Sequence, residues 1–300
     1  MKIGINILNF GPYADPESLA GWARLAEDEG FDFALISDHV AVTPDVAEQY
    51  PAPFQDPFAL LAWLAGTTSR IELGTGVLIV PYRHPLLIAR MAAGIDRLSG
   101  GRMILGVGVG WARQEFAALG VPYERRGART DEYLDAIVDH WTHDSITKKG
   151  QFVAYEQVAT APAPARQPYP PIWVGGASPA AIGRAARIGD AWHPLNVRID
   201  WLRDTGLPAL RTASESTGRP VPALAPRIPL RLTDAPLGDD RLPGQGTLEQ
   251  VLDDLDALAA LGATHVQFDT YGGNPASLRP PSEDQRDLAR VINAHHTRHP

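Results

Sequence analysis

Several places in the chain bring polar side chains, or backbone that a ligand could approach closely, to the end of an apolar run. The first is Asp38-His39, which follows Ala34-Leu35-Ile36-Ser37. Histidine is the side chain whose ordinary pKa lies nearest neutrality, so His39 could pass a proton or hydrogen-bond a bound cofactor, with Asp38 fixing its tautomer. A helix-capping aspartate beside a satisfied surface histidine is the other reading, and the pair alone does not decide. Gly74-Thr75-Gly76 lies within a β-branched run and marks either a bulge with tight packing or a strand whose backbone meets a flat ring. Gly106, Gly108 and Gly110 alternate with Val107 and Val109, as in a barrel strand whose inward positions must leave room. The run lacks the final spacing of a dinucleotide-binding loop. Gly175-Gly176-Ala177-Ser178 leaves a strand and opens a helix, exposing N–H groups at a positive helix end as a phosphate requires. A plain turn is the alternative there.

Other chemistries lack their residues. The chain has 0 cysteines, which excludes disulfides, thiolate catalysis and cysteine-ligated metals, and fits a cytoplasmic location. No His-Glu-x-x-His or Gly-x-Ser-x-Gly motif occurs, so metallohydrolase and serine-hydrolase readings are unsupported, and no metal site is expected. His295, His296 and His299 have a helical metal spacing without an acidic partner and read as a solvated, fraying tail. The start, Met1–Leu8, reads as a strand rather than a signal peptide, and no apolar run reaches the length of a membrane span. The net charge of -8, spread along the chain, argues against nucleic-acid or acidic-membrane partners.

The elements that must position these groups alternate between short β-branched runs and amphipathic helical stretches, the signal for a parallel sheet. Strands are expected at Lys2–Leu8, Phe31–Ser37, Ile71–Val80, Met103–Val109, Pro171–Gly175, Ala191–Leu195, Arg227–Leu232 and Thr264–Thr270. Helices follow near Glu17–Glu29, Asp56–Ser69, Pro85–Ser99, Ala128–His143, Ser178–Ile188, Asp200–Ser216, Thr247–Leu261 and Ser282–Ala294. Eight such units favour a (β/α)8 TIM barrel with insertions, with an open doubly wound sheet as the runner-up. The 300 residues are expected to form one such domain. A hairpin and proline-rich segment is inserted at about 144–171, and a variable loop at about 197–246. In a barrel the chemistry sits where strands end. Ser37-Asp38-His39, Tyr82-Arg83-His84, Gly110-Trp111, Gly175-Gly176 and Trp192-His193 all lie at that end.

These segments together resemble the luciferase-like superfamily, and within it the coenzyme F420-dependent branch. The resemblance runs through Gly30-Phe31-Asp32 to His39, Leu73–Val77 with Arg83-His84-Pro85, and Asp96–Arg102. It continues through Gly106–Trp111 with Glu115-Phe116, Pro171–Gly176 and Gly189–Pro194. It implies a reduced tricyclic ring across the barrel mouth, supported by a bulge with a non-proline cis peptide that maps to Gly76-Val77. It also implies contact of His39 with the ring or the reacting substrate. The cofactor phosphate would rest on Gly175, Gly176 and Ala177 N–H groups with Ser178, while Gly108 and Gly110 give clearance and Trp111 walls the substrate side. The catalytic group would then be His39, Asp38 and Trp111. A sugar-phosphate dehydrogenase of the superfamily carries a glutamate proton donor where Trp111 falls. That reaction is therefore not expected, and the donor is sought among His39, His193 and water. The implied activity is hydride transfer between F420 and a small-molecule substrate. An FMNH2-dependent monooxygenase using FMN is the rival, and a non-catalytic flavin-binding protein is the reading from another class. A homodimer through barrel helices is compatible with the family.

Overall fold

Alternate residues along each strand meet different surroundings in the computed structural model, which describes residues 1–299. In β1 (Lys2–Ile7), Ile3, Ile5 and Ile7 pack among the helix side chains, while Gly4 and Asn6 turn to the other face. The same period of two runs through β2 (Phe33–Ile36), β3 (Glu72–Thr75, resumed at Leu78–Ile79), β4 (Met103–Gly108) and β5 (Ile172–Gly175). It continues in β6 (Ala191–His193), β7 (Ala223–Leu224, resumed at Arg227–Pro229) and β8 (His265–Asp269). All pairings among these strands are parallel, and β1 lies between β2 and β8.

Strand β7 closes the cylinder, because it bonds to both neighbours. Ala225 N donates to Trp192 O at 2.9 Å and Arg227 N to Pro194 O at 2.9 Å. From the other side, Thr264 N donates to Leu224 O and Gln267 N to Pro226 O, each at 2.9 Å. The expected (β/α)8 TIM barrel is the observed fold. The seventh strand begins earlier than Arg227, and Arg231–Leu232 instead pairs with Gln245–Gly246 outside the barrel. Strand β6 stops at His193 because Pro194 has no N–H to continue the ladder.

The barrel interior has two kinds of filling. Phe33, Leu35, Ile104, Trp173, Ala191 and Ala225 form an apolar plug. Room for the large rings comes from glycine on facing strands: a Cβ at Gly4 would lie 2.4 Å from the Phe33 ring. Nearer the C-terminal ends, the inward residues turn polar, with Asn6, His193, Arg227, Gln267 and Asp269 all buried. One end is thus packed shut, and the other supplies a polar and glycine-lined mouth.

Helices α1 (Pro16–Asp28), α2 (Pro57–Thr67), α3 (Pro85–Leu98), α4 (Arg126–Thr142), α5 (Pro179–Ile188), α6 (Leu207–Thr217), α7 (Leu248–Ala260) and α8 (Pro281–Arg298) surround the strands. Their starts carry local signals. Asp15 caps Glu17 and Ser18 N–H groups, Asp56 caps Phe58 and Ala59, and Thr247 with Gln250 forms a capping box. Proline occupies the first turn of α1, α2, α3, α5 and α8. Helix α8 runs on past Ala294: Arg298 pairs with Asp253 and Asp256 on α7, and His299 Nε2 meets Asp256 at 2.9 Å. The C-terminal histidines therefore belong to a docked helix, not a frayed tail. Between α4 and β5, Ser145–Lys149 and Ala154–Ala159 form an antiparallel hairpin. Among the described residues no helix is long and apolar enough to cross a membrane.

Candidate active site

The mouth begins where β2 ends. His39 is buried at 6% exposure, and its Nδ1 lies 2.6 Å from Glu115 Oε2. Glu115 sits on a short helix, Arg113–Ala118, whose formation right after β4 folds this carboxylate back beneath the mouth. Its other oxygen accepts from Val40 N at 2.6 Å and Ala41 N at 2.9 Å, and Tyr82 Oη donates to Oε2 at 2.9 Å. Burial opposes the charge on Glu115, but hydrogen bonds from His39, Ala41 and Tyr82 outweigh it and hold the pKa below the usual value. An ionised carboxylate can only accept, so His39 Nδ1 carries a proton and Nε2 is the ring atom offered to the cavity. Burial and the same carboxylate push the Tyr82 phenol pKa up, keeping it a neutral donor.

Asp38 does not hold His39. It accepts from Arg83 Nη1 and Nη2 at 2.7 and 2.9 Å and from Ile79 N at 2.9 Å. Successive residues leaving a strand point to opposite sides, so Asp38 faces the continuation of β3 while His39 faces Glu115. Asp38 thus anchors Ile79 and Arg83, and the tautomer role expected of it falls to Glu115. In the sequence, Glu115 carries no signal of this role beyond its place after a barrel strand.

The floor is backbone. The Gly76-Val77 peptide is cis, as the resemblance implied, and the Gly76 carbonyl accepts from Arg227 Nη1 at 2.6 Å. Arg227 is itself held by Asp269 Oδ2, at 3.0 Å from Nε and 2.5 Å from Nη2. The Val77 side chain rests between Gly108 and Gly175: a Cβ on these would approach its methyls to 2.6 and 2.8 Å. Gly110, at φ 76°, has the Ile79 and Phe116 side chains equally close. His193 stands at the far wall with Nδ1 2.6 Å from Ala225 O. Burial drives its pKa down to about 4, so it is neutral.

These groups enclose a cavity of about 300 Å3 lined by Asp38, His39, Gly76, Val77, Gly108, Gly110, Trp111, Gly175, Gly176 and Arg227, with His193 and Leu195. Trp111 stands edge-on to His39, ring centroids 5.7 Å apart, and the Tyr50 ring lies tilted 5.2 Å from it. The loop bearing Tyr50 is pinned by Phe10 and Tyr271, whose rings lie 5.2 and 5.8 Å from that of Tyr50. Ala177 and Ser178 are not among the lining residues. Ser178 caps α5, its Oγ accepting from Ala181 N at 3.2 Å, and Gly176 N points to His193 O at 3.4 Å. The sequence assigns no role to Glu115 or Arg227, and it offers Tyr82 as a strand-end aromatic of the cavity wall, whereas Tyr82 lies behind the lining as a donor to Glu115. A glutamate in the turn after a barrel strand was the available signal for the first. Nothing local marks Arg227, whose partners lie 151 and 42 positions away.

Residues 1–235 match the luciferase-like monooxygenase family. The chain is 34% identical over 209 residues to a protein named F420-dependent glucose-6-phosphate dehydrogenase from Kineococcus radiotolerans, covering 68% of this chain and 60% of that one. It is 35% identical over 212 residues to the protein of the same name from Nakamurella multipartita, with the same 68% and 60% coverage. The chain thus spans about 60% of the length of these curated relatives. Among solved structures, the monooxygenase RslO1 from Streptomyces bottropensis superposes with a TM-score of 0.81 at 23% identity, over 100% of this chain and 99% of that one. An F420-dependent secondary alcohol dehydrogenase superposes with a TM-score of 0.80 at 17% identity, over 98% of both chains. Because that family match runs through seven of the eight barrel strands and every residue lining the mouth, the chain belongs to the luciferase-like monooxygenase family.

Proposed function

We propose that this protein is an oxidoreductase that transfers hydride between coenzyme F420 and a small organic substrate. The observation that carries the reading is the placement of His39 Nε2 over a floor of bare backbone, in a chain about a third identical to proteins named F420-dependent dehydrogenases. The cavity fits a flat ring. Its floor offers the Gly76-Val77 peptide and the Gly108 and Gly175 positions, where a side chain would collide with Val77. Its volume lies at the lower end of small-molecule sites. When bound, the deazaflavin supplies a ring carbon that gives or takes hydride.

The chain's own residues do the rest. Val77 and the adjoining backbone would support one face of the ring, and Arg227 holds the Gly76 carbonyl in place. Trp111 and Tyr50, packed about His39, would confine the substrate. His39 Nε2 takes the proton from an alcohol being oxidised, or returns it to a carbonyl being reduced, and Glu115 stabilises the imidazolium so formed. The backbone N–H groups of Ala177 and Ser178, at the positive start of α5, would hold the cofactor phosphate.

Titration of the purified protein with F420 and, separately, with FMN tests the assignment. Micromolar or tighter binding of F420, with FMN weaker, is expected. A protein that retained FMN and left F420 in solution would replace hydride transfer with reduced-flavin oxygenation.

A further inference from the structure

Resting on the reading above, we propose that the substrate is an uncharged alcohol or ketone with apolar substituents, and that sugar phosphates are excluded. Arg227 is the only lysine or arginine that lines the cavity among the described residues. Its Nε and Nη2 are on Asp269 and its Nη1 is on the Gly76 carbonyl, beneath the floor rather than at the mouth. Along the rim, Arg83 is bound by both Asp38 and Asp56. Arg126 donates its Nε to Gly110 O and lays its guanidinium on the Tyr123 ring, 3.9 Å from the centroid. No guanidinium lining this mouth is left for a phosphate.

The mouth itself is apolar. Trp111 and Leu195 are among the exposed large apolar side chains of the molecule, at 39% and 45%, and both line this cavity. With Tyr50 and Ile79 they would shed water onto an apolar substituent. A dianion placed there would lose hydration without a partner, and the ionised Glu115 behind His39 would repel it. Among the polar groups of the wall, which include the Tyr50 phenol and the neutral His193, none is a cation free to pair with a phosphate, and His39 Nε2 suits a single hydroxyl or carbonyl oxygen. In the oxidative direction the O–H proton passes to His39 Nε2. The carbinol C–H leaves as hydride to the oxidised deazaflavin, and the C–O bond becomes C=O. Two electrons leave the alcohol and two enter the cofactor.

The experiment first establishes which flavin loads the protein, by equilibrium titration, so that a failure of the cofactor assignment is seen separately. Binding of cyclohexanol, cyclohexanone and glucose 6-phosphate to the loaded protein is then measured by calorimetry. In parallel, oxidation of cyclohexanol and of glucose 6-phosphate is followed. Cyclohexanol and cyclohexanone are expected to bind, and glucose 6-phosphate to bind at least ~100-fold more weakly. A Leu195→Lys variant, with a cation at the mouth, should narrow that gap at least ~10-fold. Glucose 6-phosphate bound as well as the ring compounds overturns the proposal. So does a loaded protein that binds neither kind, or a gap that Leu195→Lys leaves unchanged.

Discussion

Glu115 Oε2 lies 2.6 Å from His39 Nδ1, a contact between residues 76 positions apart that sets which nitrogen of the imidazole reaches the cavity. The relationship makes a specific demand on substitution. Glu115→Gln keeps the shape but puts an amide where four donors converge. Either its NH2 faces Val40 and Ala41 N–H groups, or it forces His39 into the other tautomer. Turnover with F420 and the substrate identified should fall on the order of 100-fold or more, while the dissociation constant for F420 stays within about threefold. His39→Ala should lose at least as much. Nitrogen-15 NMR of the histidine side chains reports the tautomer directly, and an unchanged His39 signature in Glu115→Gln would remove the positioning role.

The barrel was legible in the sequence because its strands and helices announce themselves by period and by caps. Asp15, Asp56 and Thr247 each cap the start of a helix within about two residues of where the sequence places it. The mouth was legible in part. Glycines at 76, 108, 110, 175 and 176 are visible as bare positions, and His39 as a histidine at a strand end. Partner choice was not visible. Asp38 adjoins His39 in sequence yet faces Arg83, while Glu115 reaches His39 only because a short helix after β4 turns back. Neighbours in sequence leave a strand on opposite sides, so adjacency was the wrong guide.

Gly108 tests whether the floor depends on missing side chains. A methyl group there would stand 2.6 Å from Val77 Cγ2. Gly108→Ala should cost about 1–3 kcal/mol in denaturant unfolding and weaken F420 binding, since Val77 must rise into the cavity. The double variant Gly108→Ala/Val77→Ala removes the colliding methyl and should recover much of the stability loss. Additive losses in the double variant would show that the collision lies elsewhere.

Arg227 and Asp269 form a buried pair, at 9% and 7% side-chain exposure, that also carries the Gly76 carbonyl. Arg227→Met leaves the Asp269 carboxylate with Asn6 Nδ2 and Tyr271 N as its remaining donors. The expected loss is about 3–5 kcal/mol, mostly the penalty of an uncompensated buried charge. Arg227→Met/Asp269→Asn should therefore lose less than the sum of the two single changes. Chemical denaturation of all four proteins measures the coupling, and a coupling near zero would mean that the two groups act independently.

Acid stability follows from His193. Burial first, and the neighbouring Arg227 charge, depress its pKa from 6.5 to about 4, against a raising hydrogen bond to Ala225. The unfolded chain therefore binds a proton that the folded one refuses between these values, and stability falls as pH drops through that window. The contribution is fully present above about pH 6.5. It has lost about 2 kcal/mol by pH 5 and is exhausted below pH 4. His265, lowered to about 4 mainly by burial, adds a parallel loss. His193→Asn keeps a side-chain N–H for the Ala225 carbonyl but cannot titrate. Its unfolding free energy, measured from pH 7 to pH 4.5, should decline less steeply than that of the wild type, whatever its value at pH 7. Parallel slopes for the two proteins would place the acid sensitivity in other histidines and leave His193 free to ionise in the folded state.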